Sequence, residues 1–277
     1  MTDTQIHRLN RELPPLLGPE DPPAAELVNG QGRAPLLIVC DHASRTAPKA
    51  LGDMGVPAEA WEEHIAWDIG AAAVTRRMAE LLDAPAILCG YSRLVIDCNR
   101  QPGHPGSVPP VSDTWPVPAN QNLTQAHLDR RLDEIFHPYH RAITNTLAHL
   151  WQRDPERAPV IFAVHSFTPC MKSGQPRPWH AGILWNKDPR IATPMIDHLR
   201  RAHPDLVIGD NEPYDGREIA YTTETHAAAA GLAHASVEVR QDLIADAAGA
   251  HAWATHLADA LGAVLRQEPR VHLVEHY

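Results

Sequence analysis

Apolar residues in this chain fall into two kinds of stretch. Short runs rich in β-branched residues alternate with longer segments in which apolar positions recur every three to four residues. The runs predict strands at 35–40, 86–89, 94–98, 160–165, 182–186, 205–209 and 234–240. Helical spacing predicts helices at 58–82, through Ile65, Ile69, Ala72, Ala73, Met78 and Leu81, and at 124–151, through Leu128, Leu132, Ile135, Ile143, Leu147 and Leu150. Pro138 is expected to kink the second of these. Further helices are expected at 189–202, 222–231 and 244–267. Strands alternating with helices predict an α/β fold, a three-layer α/β/α sandwich around a mixed, mainly parallel central sheet. No linker or repeat interrupts the pattern, so 1–277 reads as a single catalytic domain. Residues 1–33 are expected to be an irregular lead-in, because Pro14, Pro15, Pro19, Pro22 and Pro23 disfavour a long helix. Two long loops stand out, 166–179 and 101–122, the latter with six prolines.

Composition narrows the class of partner. Charged residues are 21% and apolar residues 44%, ordinary for a globular protein, and the formal net charge is −10. No basic stripe is present to neutralise phosphates, which argues against nucleic acid. No stretch reaches membrane-span length, and the polar start shows no apolar leader segment. Cys40, Cys89, Cys98 and Cys170 form no CxxC pair, a usage that fits a reducing compartment. The expectation is a soluble cytoplasmic protein, monomer or homodimer, acting on a small molecule.

The chemistry concentrates where strands end. The strand 35–40 runs into Asp41-His42-Ala43-Ser44, and the strand from 160 ends in Val164-His165-Ser166. In an open α/β sheet, ligands bind outside the carboxyl ends of strands. For any one of 18 histidines an ordinary hydrogen-bonded role is the default. Two that both end strands and open polar loops are candidates to share a metal ion. Asp41, Asp68 and Asp97 are carboxylates near the same end. Asp68, set among Trp67, Ile69 and Gly70, is the favoured third ligand, since an unpaired carboxylate there would be costly. His64, four residues earlier, would share its helix face.

Ser92-Arg93-Leu94-Val95-Ile96-Asp97-Cys98-Asn99-Arg100 reads as a strand bracketed by arginines. Arg100 offers a planar donor fork and Asn99 an amide, which suit a substrate carboxylate. The plainer alternative is a solvated strand end with Asp97 pairing one arginine. Glu238 lies in the apolar strand 234–240 and is a candidate general base; Glu238 and Arg240 are expected to point the same way. The plainer alternative is a Glu–Arg pair on an outward face. A metal-independent hydrolase using Ser166 or Cys40 is a rival reading, although no G-x-S-x-G elbow surrounds Ser166. A binding protein without turnover is another.

Taken in order, Cys40-Asp41-His42-Ala43-Ser44, Trp67-Asp68-Ile69-Gly70, the 92–100 segment, Val164-His165-Ser166-Phe167-Thr168-Pro169 and Glu238-Val239-Arg240-Gln241-Asp242-Leu243 resemble the N-formylglutamate amidohydrolase family over roughly 35–265. That family is similar in fold to zinc-dependent exopeptidases and to the aspartoacylase group. The resemblance implies one Zn2+, His165 as a ligand, Glu238 as the catalytic carboxylate, Arg93 beside the oxyanion, and Asn99 and Arg100 on the substrate carboxylate. The wider group carries a His-x-x-Glu pair in its first loop; here Arg45 stands three residues after His42, so Asp68 takes the place of that ligand. The implied reaction releases formate, or another short acid, from an N-formyl or short N-acyl amino acid, with an acidic amino acid such as glutamate expected. In that scheme Arg240, Asn120 and His226 are further candidates to contact substrate, with Thr222 beside them.

Overall fold

The structure, a computed structural model, describes residues 13–170, 174–218 and 220–277. Its frame is a seven-stranded sheet. In chain order the strands are β1 (Ala25–Val28), β2 (Leu36–Cys40), β3 (Ala86–Cys89), β6 (Val160–Phe167), β7 (Ala181–Leu184), β8 (Ile208–Asp210) and β9 (His234–Arg240). The spatial order is β1-β3-β2-β6-β9-β7-β8. The four central strands, β3, β2, β6 and β9, are mutually parallel; β1 and β7 run antiparallel to their inner neighbours. Strands covered on both faces must be apolar throughout. Every residue of β2, β3 and β6 is buried accordingly.

Helices cover both faces. Leu36, Ile38 and Cys40 of β2 pack toward α1 (Ala71–Leu81), α4 (Ala192–Ala202) and α6 (Ala247–Gln267), through Val74, Met78, Leu199 and Leu257. Leu37 and Val39 point the other way, toward Tyr139, Ile143 and Leu147 of α3 (His137–Arg153). Burial of each such Leu or Ile contributes roughly 1.5–3 kcal/mol. From β2 the chain crosses to β3 on one side, then returns to β6 on the other. Adjacent strands whose connections leave in opposite directions open a crevice at their carboxyl ends. His42 follows β2, and His165 lies near the end of β6.

Several expected elements differ. The helix predicted over 58–82 is a 3-10 turn, Ala58–Glu62, then a series of turns, then α1. Gly70 stops the helix from starting earlier: its φ is +80°, outside the helical region. His64 and Asp68 therefore share no helix face. Residues 94–98 are turns rather than a strand. Leu94, Val95 and Ile96 are all buried, so the apolar run is real, but its backbone is bonded locally: Val95 N donates to Ser92 O, and Asp97 N to Ser107 O. The helix expected over 124–151 runs unbroken from Gln125 to Arg153, as α2 (Gln125–Arg131), a π turn at Leu132–Phe136, and α3. Pro138, lacking an N–H, sits just after the widened turn. The lead-in contains β1, and the proline-rich loop contains a small hairpin, β4 (Val111–Ser112) with β5 (Trp115–Pro116). Residues 1–12 of the lead-in and 171–173 of the second loop lie outside the described residues. The expected helix 222–231 is α5 (Tyr221–His226) followed by a 3-10 turn. No helix among the described residues is long and apolar enough to cross a membrane.

Candidate active site

His42 and His165 come together. Their ring centroids lie 5.2 Å apart. Asp68 Oδ2 stands between them, 3.3 Å from His42 Nδ1 and 2.9 Å from His165 Nδ1. It also accepts the backbone N–H of Ser166 at 3.3 Å. Asp68 reaches this position from the turn before α1, which is fixed to the β2 loop by a hydrogen bond from Asp68 N to His42 O at 2.9 Å. Gly70 completes the turn; a Cβ there would meet Ile244 O at 2.2 Å.

Each imidazole has a second carboxylate on its far nitrogen. His42 Nε2 lies 2.7 Å from Asp97 Oδ1. His165 Nε2 lies 3.3 Å from Asp41 Oδ2, within ion-pair range but without hydrogen-bond alignment. Asp41 is held in turn by the hydroxyls of Tyr139 at 2.9 Å and Thr222 at 2.7 Å. Asp97 accepts Asn99 N at 2.9 Å. Carboxylates on the outer nitrogens orient the inner ones, the arrangement by which imidazole ligands are fixed and made more basic.

Arg93 ties two of these acids together, donating to Asp68 Oδ1 and Asp97 Oδ2 at 3.2 Å each. Two of its five N–H groups are used in this way. Arg100 approaches Asp97 only at 4.0 Å. Glu238 completes the site from β9. It pairs in register with His165 of β6, and its Oε2 is buried without a hydrogen-bond partner among the described residues.

Charge is unbalanced here. Among the described residues, Asp41, Asp68, Asp97 and Glu238 gather with the guanidiniums of Arg93 and Arg100. Burial raises Glu238 to about 7, and the nearby Asp68 adds to the effect. Burial and Arg93 oppose a charge on His42, yet Asp97 and Asp68 raise it to about 9. Burial likewise opposes charge on His165, and Asp41 and Asp68 outweigh it. Burial opposes the charge on Asp68 too, but His42, His165 and Arg93 hold it well below the usual carboxylate range. The metal-free site thus collects protons, as a site built for a cation does. Among the described residues, His42, Asp68 and His165 form the one group of three whose ligand atoms all lie within 4.8 Å of one another. Two imidazoles and a carboxylate are a donor set suited to a divalent metal with an open position. The residues present fit the ion.

The cavity above them has a volume of about 170 Å³ and is lined by His42, Asp68, Arg93, Asn99, Arg100, His165 and Glu238 among the expected residues. His64, Ser166 and Tyr214 line it too. Ser166 Oγ donates to a backbone carbonyl, Ile69 O at 2.8 Å, rather than to an imidazole or carboxylate. Cys40 is fully buried in the sheet core; burial and the nearby Asp68 and Asp41 push its thiol well above its ordinary range. Neither has the setting of an activated nucleophile.

Three expected contact residues lie elsewhere. Asn120 spends its amide on the carbonyls of Leu94 and Pro109, both at 2.8 Å, and holds the proline-rich loop in place. His226 pairs with His140 at 2.7 Å; burial and that neighbour lower it to about 4. Arg240 does not share Glu238's cavity: it sits at the strand end and donates to Asp242 at 2.8 Å. Thr222 supports Asp41 rather than the cavity. The sequence carried some signal for Asp41 and Asp97, which flank the expected ligands in number. It carried none for Tyr214 or Tyr139, which arrive from distant segments.

Comparison with known proteins agrees with this geometry. The model of the N-formylglutamate amidohydrolase family matches residues 34–245. The solved structure of a gene product from Agrobacterium tumefaciens is 32% identical, with a TM-score of 0.86, covering 91% of this chain and 98% of that one. An N-formylglutamate amidohydrolase from Ralstonia eutropha shares the fold at 18% identity and a TM-score of 0.67, covering 89% and 98%. Among curated proteins none matches. With most of its length matched by the family model and a 32% identical neighbour covering 91% of it, the chain belongs to the N-formylglutamate amidohydrolase family.

Proposed function

We propose that this protein is a zinc-dependent cytoplasmic amidohydrolase that cleaves the N-formyl or short N-acyl amide of an acidic amino acid, N-formylglutamate or a close relative. The observation that carries the reading is the convergence of His42, Asp68 and His165 beside a buried Glu238 whose Oε2 has no hydrogen-bond partner among the described residues. Family membership supports the amide chemistry, and the donor set supports the metal.

His42, Asp68 and His165 would hold the ion, with Asp97 and Asp41 fixing the two imidazoles. When bound, the ion supplies Lewis acidity, which makes water acidic enough to react near neutral pH. Glu238, raised to about 7 by burial, is placed to take a proton from the attacking water. It returns the proton to the departing nitrogen, so one water and one amide give a short carboxylic acid and a free amine. The unused N–H groups of Arg93 face the negative charge that develops on the carbonyl oxygen. Asn99 and Arg100 receive the substrate carboxylate; Arg100 has only a distant ion pair to give up.

The test is metal analysis of the purified protein combined with formate release from a panel of N-formyl amino acids. Chelation abolishes release and zinc restores it. Full activity in metal-free protein overturns the mechanism.

A further inference from the structure

The reaction cavity is small. At about 170 Å³ it falls below the roughly 300–1,000 Å³ of ordinary ligand sites. A second chamber of about 250 Å³ adjoins it, and Asn99 and Arg100 stand in the walls of both. Together the two spaces reach the ordinary range.

The shared wall is where a ligand would cross. Asp97 already receives His42, Asn99 N and Arg93, so its pairing with Arg100 at 4.0 Å is a weak one. Arg100 is therefore the least committed cation of the site. Beyond it the chamber carries both signs of charge: His104 and Arg217 against Glu218 and Glu224, with the ring of Tyr221. Arg217 is itself paired with Asp215, at 2.8 and 2.5 Å. A mixed, largely answered set of charges suits a zwitterionic or peptide-like group better than a bare anion.

We propose that the second chamber holds a continuation of the substrate on the leaving-amine side, so that the preferred substrate is an N-acyl dipeptide or similarly extended N-acyl amino acid rather than a single residue. This rests on the functional reading above, which places the acyl group by Glu238 and a substrate carboxylate by Asn99 and Arg100; in a glutamyl dipeptide that carboxylate is the glutamyl side chain.

Two measurements on the zinc-loaded protein test it. The first compares kcat/KM for N-formylglutamate, for N-formylglutamyl dipeptides, and for glutamate carrying longer N-acyl groups. The second measures by calorimetry the binding of the amine products, glutamate against glutamyl dipeptides. The dipeptide series is expected to be favoured at least about tenfold in both, and His104→Ala with Arg217→Ala is expected to shrink that ratio. Equal values for glutamate and its dipeptides, or a preference only for longer acyl groups, overturn the proposal. If nothing is cleaved but dipeptides still bind more tightly, the amidohydrolase reading fails and the chamber stands.

Discussion

His165 and Glu238 are register partners on adjacent parallel strands, β6 and β9. That pairing puts the imidazole and the carboxylate on one face of the sheet at one height. A slip of one residue would replace Glu238 with Val237 or Val239. The site depends on this register because the sheet supplies both groups directly, without an intervening loop.

Glu238→Gln is expected to lower kcat by about 10²–10⁴, the range for removing a general acid–base group. Zinc content should be unchanged. Loss of zinc along with activity would make Glu238 a ligand and remove its role as base.

Asp97→Asn and Asp41→Asn are expected to weaken metal affinity about 10–100-fold, since each leaves an imidazole without its orienting carboxylate. His42→Ala and His165→Ala should retain no stoichiometric metal. Competition with a coloured chelator reads both effects. Unchanged affinity in the two Asn variants would reduce Asp41 and Asp97 to structural roles.

The metal-free protein should lose stability as pH rises. Folding raises Glu238 from 4.5 to about 7, and His42 from 6.5 to about 9. Each group binds its proton more tightly in the folded chain than in the unfolded one. Its contribution is therefore full below the unfolded value and is lost as pH climbs to the folded value. Thermal unfolding of chelated protein should show Tm falling by roughly 5 °C or more between pH 7 and pH 9, above the range in which the lowered His226 acts in the opposite direction. Added zinc should flatten the curve, because a bound cation takes over the role of the protons. A chelated protein equally stable at both ends of that range contradicts the charge balance described here.

Arg100→Ala is expected to raise KM about 10–100-fold for substrates bearing a free carboxylate, the scale of a lost charge-assisted hydrogen bond. Esterified analogues should respond far less. An equal effect on both would move Arg100 from substrate binding to support of Asp97.

Gly70→Ala should cost at least about 2 kcal/mol in denaturant unfolding, through a left-handed backbone position and a Cβ with no room beside Ile244 O. The same variant should bind zinc more weakly, because the turn it distorts carries Asp68. A variant as stable as the native chain would show that the turn can relax.

Fold class, the strands of the parallel core and the polar residues that line the candidate site can be read from the chain alone. Period-two and period-3.6 apolar patterns follow from local geometry, so β2, β6, β9, α4 and α6 were legible within a few residues. His42, His165 and Glu238 were legible as polar residues set in or just after apolar strands. What the pattern could not separate is a buried strand from a buried turn: Leu94-Val95-Ile96 is apolar because it is in the core, and its backbone N–H groups donate to Ser92 instead of a neighbouring strand. Which polar residues converge depends on how the chain folds back on itself. The tertiary structure joined Asp41 to Tyr139 and Thr222, and Asp97 to His42, across 55 or more positions. It sent Asn120, His226 and Arg240 to other partners. Residue type records what a side chain can do; its partners depend on strand order and register, which bring together segments far apart in the chain.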